Sequence, residues 1–247
     1  MTSVRTNRNT TTYRNLFAAA RLGMVILVLA CTLILSLSCR SGTAQEQAGD
    51  DVLPDRFTLF DGEHLGNWKI TDFGGQGDVA IKDGAIHLPT GNDMTGVTWT
   101  GPVVRMDYEI TLEAMRVEGS DFFCALTFPV DSNSCSLVLG GWGGSVCGIS
   151  NIDYYDAANN ETTAFHNFDN GKWYGVKVVV RPDRIKAWVD DEEIVNVEIA
   201  GRKIHTRFEV DLCKPLGLAT WQTYGAMRNI WVEKLPPQSE SADEADL

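Results

Sequence analysis

From residue 57 to residue 234, apolar and polar side chains alternate in short runs, and helical spacing is never sustained beyond about two turns. In 106–114, Met106, Tyr108, Ile110, Leu112 and Ala114 fall on one face, while Asp107, Glu109, Thr111 and Glu113 fall on the other. Successive strand residues point to opposite sides, so this run predicts a half-buried antiparallel strand. The run 173–181 repeats the pattern with Tyr174, Val176, Val178 and Val180. Pro182-Asp183 then predicts a tight turn into 184–190, and Asp191-Glu192 a second turn into 193–200, which together make a three-stranded meander. Further strands are expected at 57–60, 68–70, 78–81, 85–88, 97–99, 122–129, 135–139, 146–149, 162–168, 216–221 and 230–234. About fourteen short strands with turn signals between them predict an all-β, two-sheet sandwich.

The pattern changes at both ends. Residues 1–38 carry Arg5, Arg8, Arg14 and Arg21 and no acid, and residues 22–38 form an uncharged, proline-free apolar run. That run lies between a secretory signal and a spanning helix in length. Three fates fit it: cleavage after Ala44, lipoprotein processing before Cys39 or Cys31, or retention as a membrane anchor. Each exports the rest of the chain, and the membrane is expected only through this leader or a lipid on it. The expected organisation is a leader or anchor over 1–39, a tether over 40–56, a β-sandwich over 57–234 and an acidic tail over 235–247.

The chain's net charge is -12, and that acidity sits in the exported part. Nucleic-acid binding, which rests on clustered Lys and Arg, is excluded as a partner class. A neutral or cationic partner is expected, with a sugar foremost. Cys124, Cys135, Cys147 and Cys213 have no Cys-x-x-Cys spacing, so zinc is not expected, and any disulfide pairing is left open.

Several segments together resemble a known family. Leu59-Phe60-Asp61-Gly62, then Leu65 and Trp68, precede Lys82-Asp83-Gly84-Ala85-Ile86. Tyr108-Glu109-Ile110, Gly171-Lys172-Trp173-Tyr174, the segment 184–190, Pro215-Leu216-Gly217-Leu218 and Arg228-Asn229-Ile230-Trp231 follow in order. This arrangement resembles the 3-keto-disaccharide hydrolase domain family, as a divergent member. The resemblance implies a concanavalin/laminin-G-like jelly roll. It also implies action on 3-keto glycosides: a base takes the C2 proton, the C1 substituent is eliminated, and water adds back. The family's mid-domain strands carry an Arg and a Glu. Here the corresponding strands read Phe122-Phe123-Cys124-Ala125-Leu126 and Cys135-Ser136-Leu137-Val138-Leu139, so no catalytic residue carries over.

Candidate site residues come from the chain itself. Trp142, set in Gly140-Gly141-Trp142-Gly143-Gly144, offers a flat face for a sugar ring, and Trp221 and Tyr224 at a strand end do likewise. Downstream, Asp153, Asp156, Asn160 and Glu161 supply oxygen donors suited to sugar hydroxyls, to Ca²⁺ as a divalent cofactor, or to service as a base; the spacing is not that of an EF-hand. His166 is the nearby histidine, the residue type suited to carry a proton. The candidate catalytic set is therefore His166, Glu161 and Asp156, and the candidate binding set Trp142, Asn160, Trp221 and Tyr224. His64, His87 and His205 are read as surface residues, and the Asp107, Glu109, Glu113 face as solvated. The two-carboxylate string of laminarinase-type glycosidases (Glu-x-Asp-x-x-Glu) is absent, as are Gly-x-Ser-x-Gly and His-Glu-x-x-His. An enzyme on 3-keto glycosides, a non-catalytic carbohydrate-binding module and a structural envelope lipoprotein all fit. Convergence of Trp142, Asp156, Glu161 and His166 in one hollow would favour the enzyme.

Overall fold

The computed structural model describes residues 53–237; the leader (1–39), the tether up to 52 and the tail from 238 onward lie outside them. Fifteen strands run in chain order: β1 (Arg56–Thr58), β2 (Trp68–Ile70), β3 (Ala80–Lys82), β4 (Ala85–Leu88), β5 (Met94–Trp99), β6 (Tyr108–Glu118), β7 (Cys124–Val130), β8 (Asn133–Gly141), β9 (Val146–Ser150), β10 (Ala164–Phe165), β11 (Trp173–Val180), β12 (Arg184–Val189), β13 (Glu192–Glu198), β14 (Gly217–Trp221) and β15 (Tyr224–Lys234). One 3₁₀ helix, η1 (Phe208–Cys213), interrupts them. All strand pairs are antiparallel.

The first sheet orders its strands β13-β12-β11-β6-β15-β4-β3, with β1 also on β15; the second orders them β10-β9-β8-β7-β14-β5-β2. This is the expected jelly-roll sandwich. Two sequence-read strands differ most in extent. The 162–168 run shrinks to two residues, because Thr162 and Thr163 are held by Asn160 in a turn and leave only Ala164 and Phe165 to pair with β9. The last strand begins at Tyr224, six residues before the expected start, and a register shift near Arg228 hides its alternation.

Local chemistry explains the joints. Asp83 and Gly84 both take positive φ (51° and 73°) between β3 and β4, the twist a two-residue hairpin needs. Between the sheets, Trp68, Tyr108, Phe123, Phe128 and Tyr174 are fully buried. Their polar atoms are satisfied, with Trp68 Nε1 donating to the Leu59 carbonyl (2.8 Å) and the Tyr108 hydroxyl to that of Pro129 (2.6 Å). Cys124, Cys135, Cys147 and Cys213 are free and buried. Burial pushes the thiols of Cys124 and Cys213 up to about 12, so they are inert apolar fillers, not nucleophiles.

Candidate functional site

The second sheet presents an unusual outer face. Along β7, β8 and β9 the inward residues Cys124, Leu126, Leu137, Leu139, Cys147 and Ile149 build the core, yet the outward ones are buried as well. Antiparallel sheets normally leave one side wet, so something must cover this one.

Two segments do. A strap over 203–215, which includes η1, lays Val210 and Cys213 against Met94, Ala125 and Ala219 of the sheet's outer face. A β9–β10 loop over 151–163 crosses β9, where a side chain at Gly148 would collide with the Ala157 and Thr162 carbonyls. Arginines lock strap and loop together. Arg202 bridges Asp153 (2.5 Å) and Glu161 (2.6 Å), and Arg207 bridges Asp156 (2.7 Å) and Glu209 (2.7 Å).

Between the covers lies a hollow of about 190 Å³. Its floor is small: Ala125, Ser136, Val138 and Ser150. Phe122, Trp142 and Trp221 supply aromatic surface, and Asp121, Arg207 and Glu209 the charged groups. Phe122 and Trp221 tilt against each other at 6.4 Å, and the Arg207 guanidinium lies 5.8 Å from the Trp142 ring centre.

Trp142 is placed with unusual care. Its φ is +50°, in a turn where Gly140, Gly143 and Gly144 also take positive φ. A bulky residue in the left-handed region is strained, and such strain persists only where neighbours enforce it. Asp121 accepts the Gly143 N–H (3.2 Å) from one side. From the other, Arg116 donates to the Gly144 carbonyl (3.3 Å), and also to the Phe168 carbonyl and the Asn170 side chain. Arg116 is buried and has no carboxylate partner among the described residues, so main-chain and amide oxygens carry its whole hydrogen-bonding load.

The titratable groups around the hollow are engaged. Burial opposes the charge on Glu209, but two hydrogen bonds from Arg207 override it and hold its pKa below the ordinary carboxylate range. Both Asp121 oxygens accept main-chain N–H groups, from Phe122 and Gly143.

The sequence-predicted residues separate into groups. Trp142 and Trp221 line the hollow together. Asp156 stands behind it, holding Arg207. Glu161 faces Arg202, whose hydrogen bond keeps its pKa low. The Asn160 side chain is spent on the loop, donating to the Ile149, Tyr155 and Asp156 carbonyls and accepting from Thr162. His166 sits apart from the hollow, against Glu192 (3.1 Å) and the rings of Phe168 and Tyr174. Tyr224 belongs to the first sheet, where its hydroxyl meets His87 Nδ1 at 2.7 Å. His87 is thus buried and bonded, not a surface residue, and desolvation, with Lys82 adding to it, lowers its pKa. His205 is only half-exposed, lying against Tyr154 (4.9 Å). Of the Asp107, Glu109 and Glu113 face, Glu109 and Glu113 lie on the part-exposed outside of the first sheet, while Asp107 precedes β6 and pairs with Arg181 (3.0 Å).

Sequence reasoning missed Arg207, Glu209 and Asp121. Arg207 and Glu209 lie in a stretch with no strand alternation. The fifteen-residue interval 201–215 between sequence-read strands, too long for a turn, was the available signal. Among the described residues no cluster of three or more His, Cys, Asp or Glu is arranged to hold a metal ion. Asp153, Asp156 and Glu161, read as oxygen donors for Ca²⁺, are taken up by arginines.

Known proteins share this architecture. A Crh5 transglycosylase in complex with NAG superposes with a TM-score of 0.52 at 11% identity, over 74% of this chain and 86% of that one. The carbohydrate-binding module CBM66 from Bacillus subtilis gives 0.45 at 14% identity, over 68% and 96% of the two chains. The Bacillus licheniformis beta-glucanase gives 0.47 at 12% identity, over 74% and 99%. At such identities the likeness is one of fold alone. No curated protein sequence matches the chain. The sequence pattern of the 3-keto-alpha-glucoside-1,2-lyase-like domain matches residues 56–233, nearly the whole of the sandwich, and the chain belongs to that family.

Proposed function

We propose that the chain recognises a carbohydrate in the hollow on the outer face of its second sheet, as a binding protein. Its family membership makes the function a carbohydrate-related one. The observation that carries the finer reading is Trp142, held in a strained left-handed conformation with 43% of its surface exposed, beside Trp221 and a fixed set of charged hydrogen-bonding groups. Flat aromatic faces take the C–H side of a sugar ring, while Arg207, Glu209 and Asp121 meet hydroxyls at its edge. Binding is preferred to turnover because the hollow's carboxylates are already committed to Arg207 or to main-chain N–H groups. A general base works best with a pKa near the working pH, and the Arg207 pair holds that of Glu209 below the ordinary carboxylate range.

The test is tryptophan fluorescence of the full chain titrated with a panel of linear gluco-, manno-, galacto-, xylo- and N-acetylglucosamine oligosaccharides. Saturable quenching by at least one series, lost in Trp142→Gly, is expected. A flat response to every series would sink the reading.

Elimination from a 3-keto glycoside is the second reading, favoured by Asp121 and Arg207 facing one hollow. There Asp121 would take the C2 proton and Arg207 would face the C3 oxygen. Release of aglycone from a 3-keto-glucoside by wild type, and none by Asp121→Asn, would replace binding with catalysis. The apolar leader supports an exported location for the domain, testable by fractionating cells that express the full chain.

A further inference from the structure

The strap crosses the outer face of the second sheet and divides it. On β8 the successive outward residues Ser134 and Ser136 fall on opposite sides of the division. Ser136 floors the aromatic hollow, whereas Ser134 lines a second, polar hollow. The strap's neighbouring residues Thr206 and Arg207 split the same way, Thr206 to the polar hollow and Arg207 to the aromatic one. The strap therefore crosses the sheet between them.

It is built to stay there. At one end His205 and Asn151 exchange main-chain hydrogen bonds (2.6 and 3.3 Å), and Ile204 pairs with Ile152. In the middle Arg207 is tied to Asp156 of the loop. At the other end Thr98 donates to the Leu212 carbonyl (2.8 Å), Ser134 donates to the Pro215 carbonyl (3.1 Å), and Val210 and Cys213 are buried on the sheet. Main-chain pairing, an ion pair and apolar burial are three separate restraints, so lifting the strap would break all of them together.

The hollow that remains is about 190 Å³, below the roughly 300–1,000 Å³ of sites that enclose drug-sized ligands. That is room for one sugar ring. A chain threading past would have to pass through Arg207 and η1.

We infer that the strap makes the protein a reader of glycan ends: one terminal sugar enters the hollow, and internal stretches of a polysaccharide are refused. This rests on the carbohydrate reading above and narrows it to the class of ligand. The polar hollow beyond the strap is not a continuation of the same ligand track.

The experiment immobilises the oligosaccharide series named above, from two to eight units, in two sets, coupled through the reducing end or through the non-reducing end. Full-chain protein is passed over both. End-on recognition gives signal from one orientation only, with affinity changing less than about two-fold from two to eight units, since added rings lie outside the hollow. Signal from both orientations, or an affinity that climbs ten-fold or more with length, overturns the inference while leaving carbohydrate recognition standing. Silence from every series overturns both.

Discussion

The two sheets use their outer faces in opposite ways. On the first, inward and outward residues differ sharply: β6, β11 and β12 alternate between buried and part-exposed. Its outward tryptophans are each covered by a cation: Lys177 lies 4.3 Å from the Trp188 ring centre, Arg228 4.1 Å from Trp173 and Arg56 3.9 Å from Trp231. On the second, β7 is buried along its whole length and its outward side chains are small. Trp68 and Trp99 pack edge-to-face in the core, leaving Trp142 and Trp221 of the seven tryptophans, and both border the hollow. The difference is instructive. A tryptophan on a charged face is an apolar plate sheltered by a lysine or arginine stem. A tryptophan strained into place above a floor of Ala and Ser is a surface kept available.

The strongest way to break this comparison is to put the same charge on both faces. Ala219→Asp would bury an unpaired carboxylate beneath Val210 and Cys213, and should cost about 3 kcal/mol or more in urea unfolding. Thr111→Asp, on the first sheet directly opposite Lys177, should cost about 1 kcal/mol or less. Equal losses would mean that the two outer faces are equivalent and that the strap does not seal the second.

Trp142→Gly comes next. Affinity for the quenching sugar should fall at least about ten-fold, as for a central aromatic anchor. Stability should stay within about 1 kcal/mol, because glycine accepts φ +50° without strain and little is packed on the ring. Trp188→Ala, on the first sheet, should leave affinity unchanged. A binding loss in Trp188→Ala matching that in Trp142→Gly would move the site to the other face.

These contrasts also explain what could be read from the chain. The first sheet was legible because its strands are half-wet: 108–118 and 173–180 write their burial into a two-residue period. Strands of the second sheet showed as apolar runs, but their covering could not be seen, because it depends on segments far off in the chain. Trp142 stood out through its glycines, and Trp221 through its place at a strand end. The local density of acids at 153–161 was equally visible and pointed elsewhere. Their partners, Arg202 and Arg207, lie about fifty residues away, and only folding brings them together. Arg116 lies beyond the 106–114 run, and its three oxygen partners come from segments distant in the chain.

Acidification should separate strap from sandwich by a smaller margin. Glu209 has a folded pKa below its ordinary value, held there by Arg207 against the pull of burial. A depressed carboxylate contributes stability above its unfolded pKa, and that contribution is lost as pH falls through the folded one. Asp153 and Glu161 follow the same sign, Asp153 chiefly through the Lys203 N–H and Glu161 chiefly through Arg202. Sugar affinity and thermal stability should both hold from neutrality down to about pH 5 and decline below about pH 4. Glu209→Gln should flatten part of that decline. A decline centred near pH 6 to 7 would instead implicate a histidine and contradict the pairing around Arg207.

The smallest effect is expected at His166, and it decides between faces of the site most cleanly. Its Nδ1 is 3.1 Å from Glu192, and its ring lies tilted against Phe168 and edge-to-face with Tyr174, with 22% of the side chain exposed. The Glu192 carboxylate is 63% exposed, and such a pair contributes under about 1 kcal/mol. Nothing in that arrangement turns toward Trp142 or Arg207. His166→Ala should therefore lower stability slightly, through lost ring packing, and change sugar affinity by less than about two-fold at every pH. Were His166 a proton carrier for chemistry in the hollow, the same substitution would erase a neutral-pH inflection in aglycone release from a 3-keto-glucoside while leaving binding intact. Affinity and pH profile measured on this single variant thus separate a packing histidine from a working one.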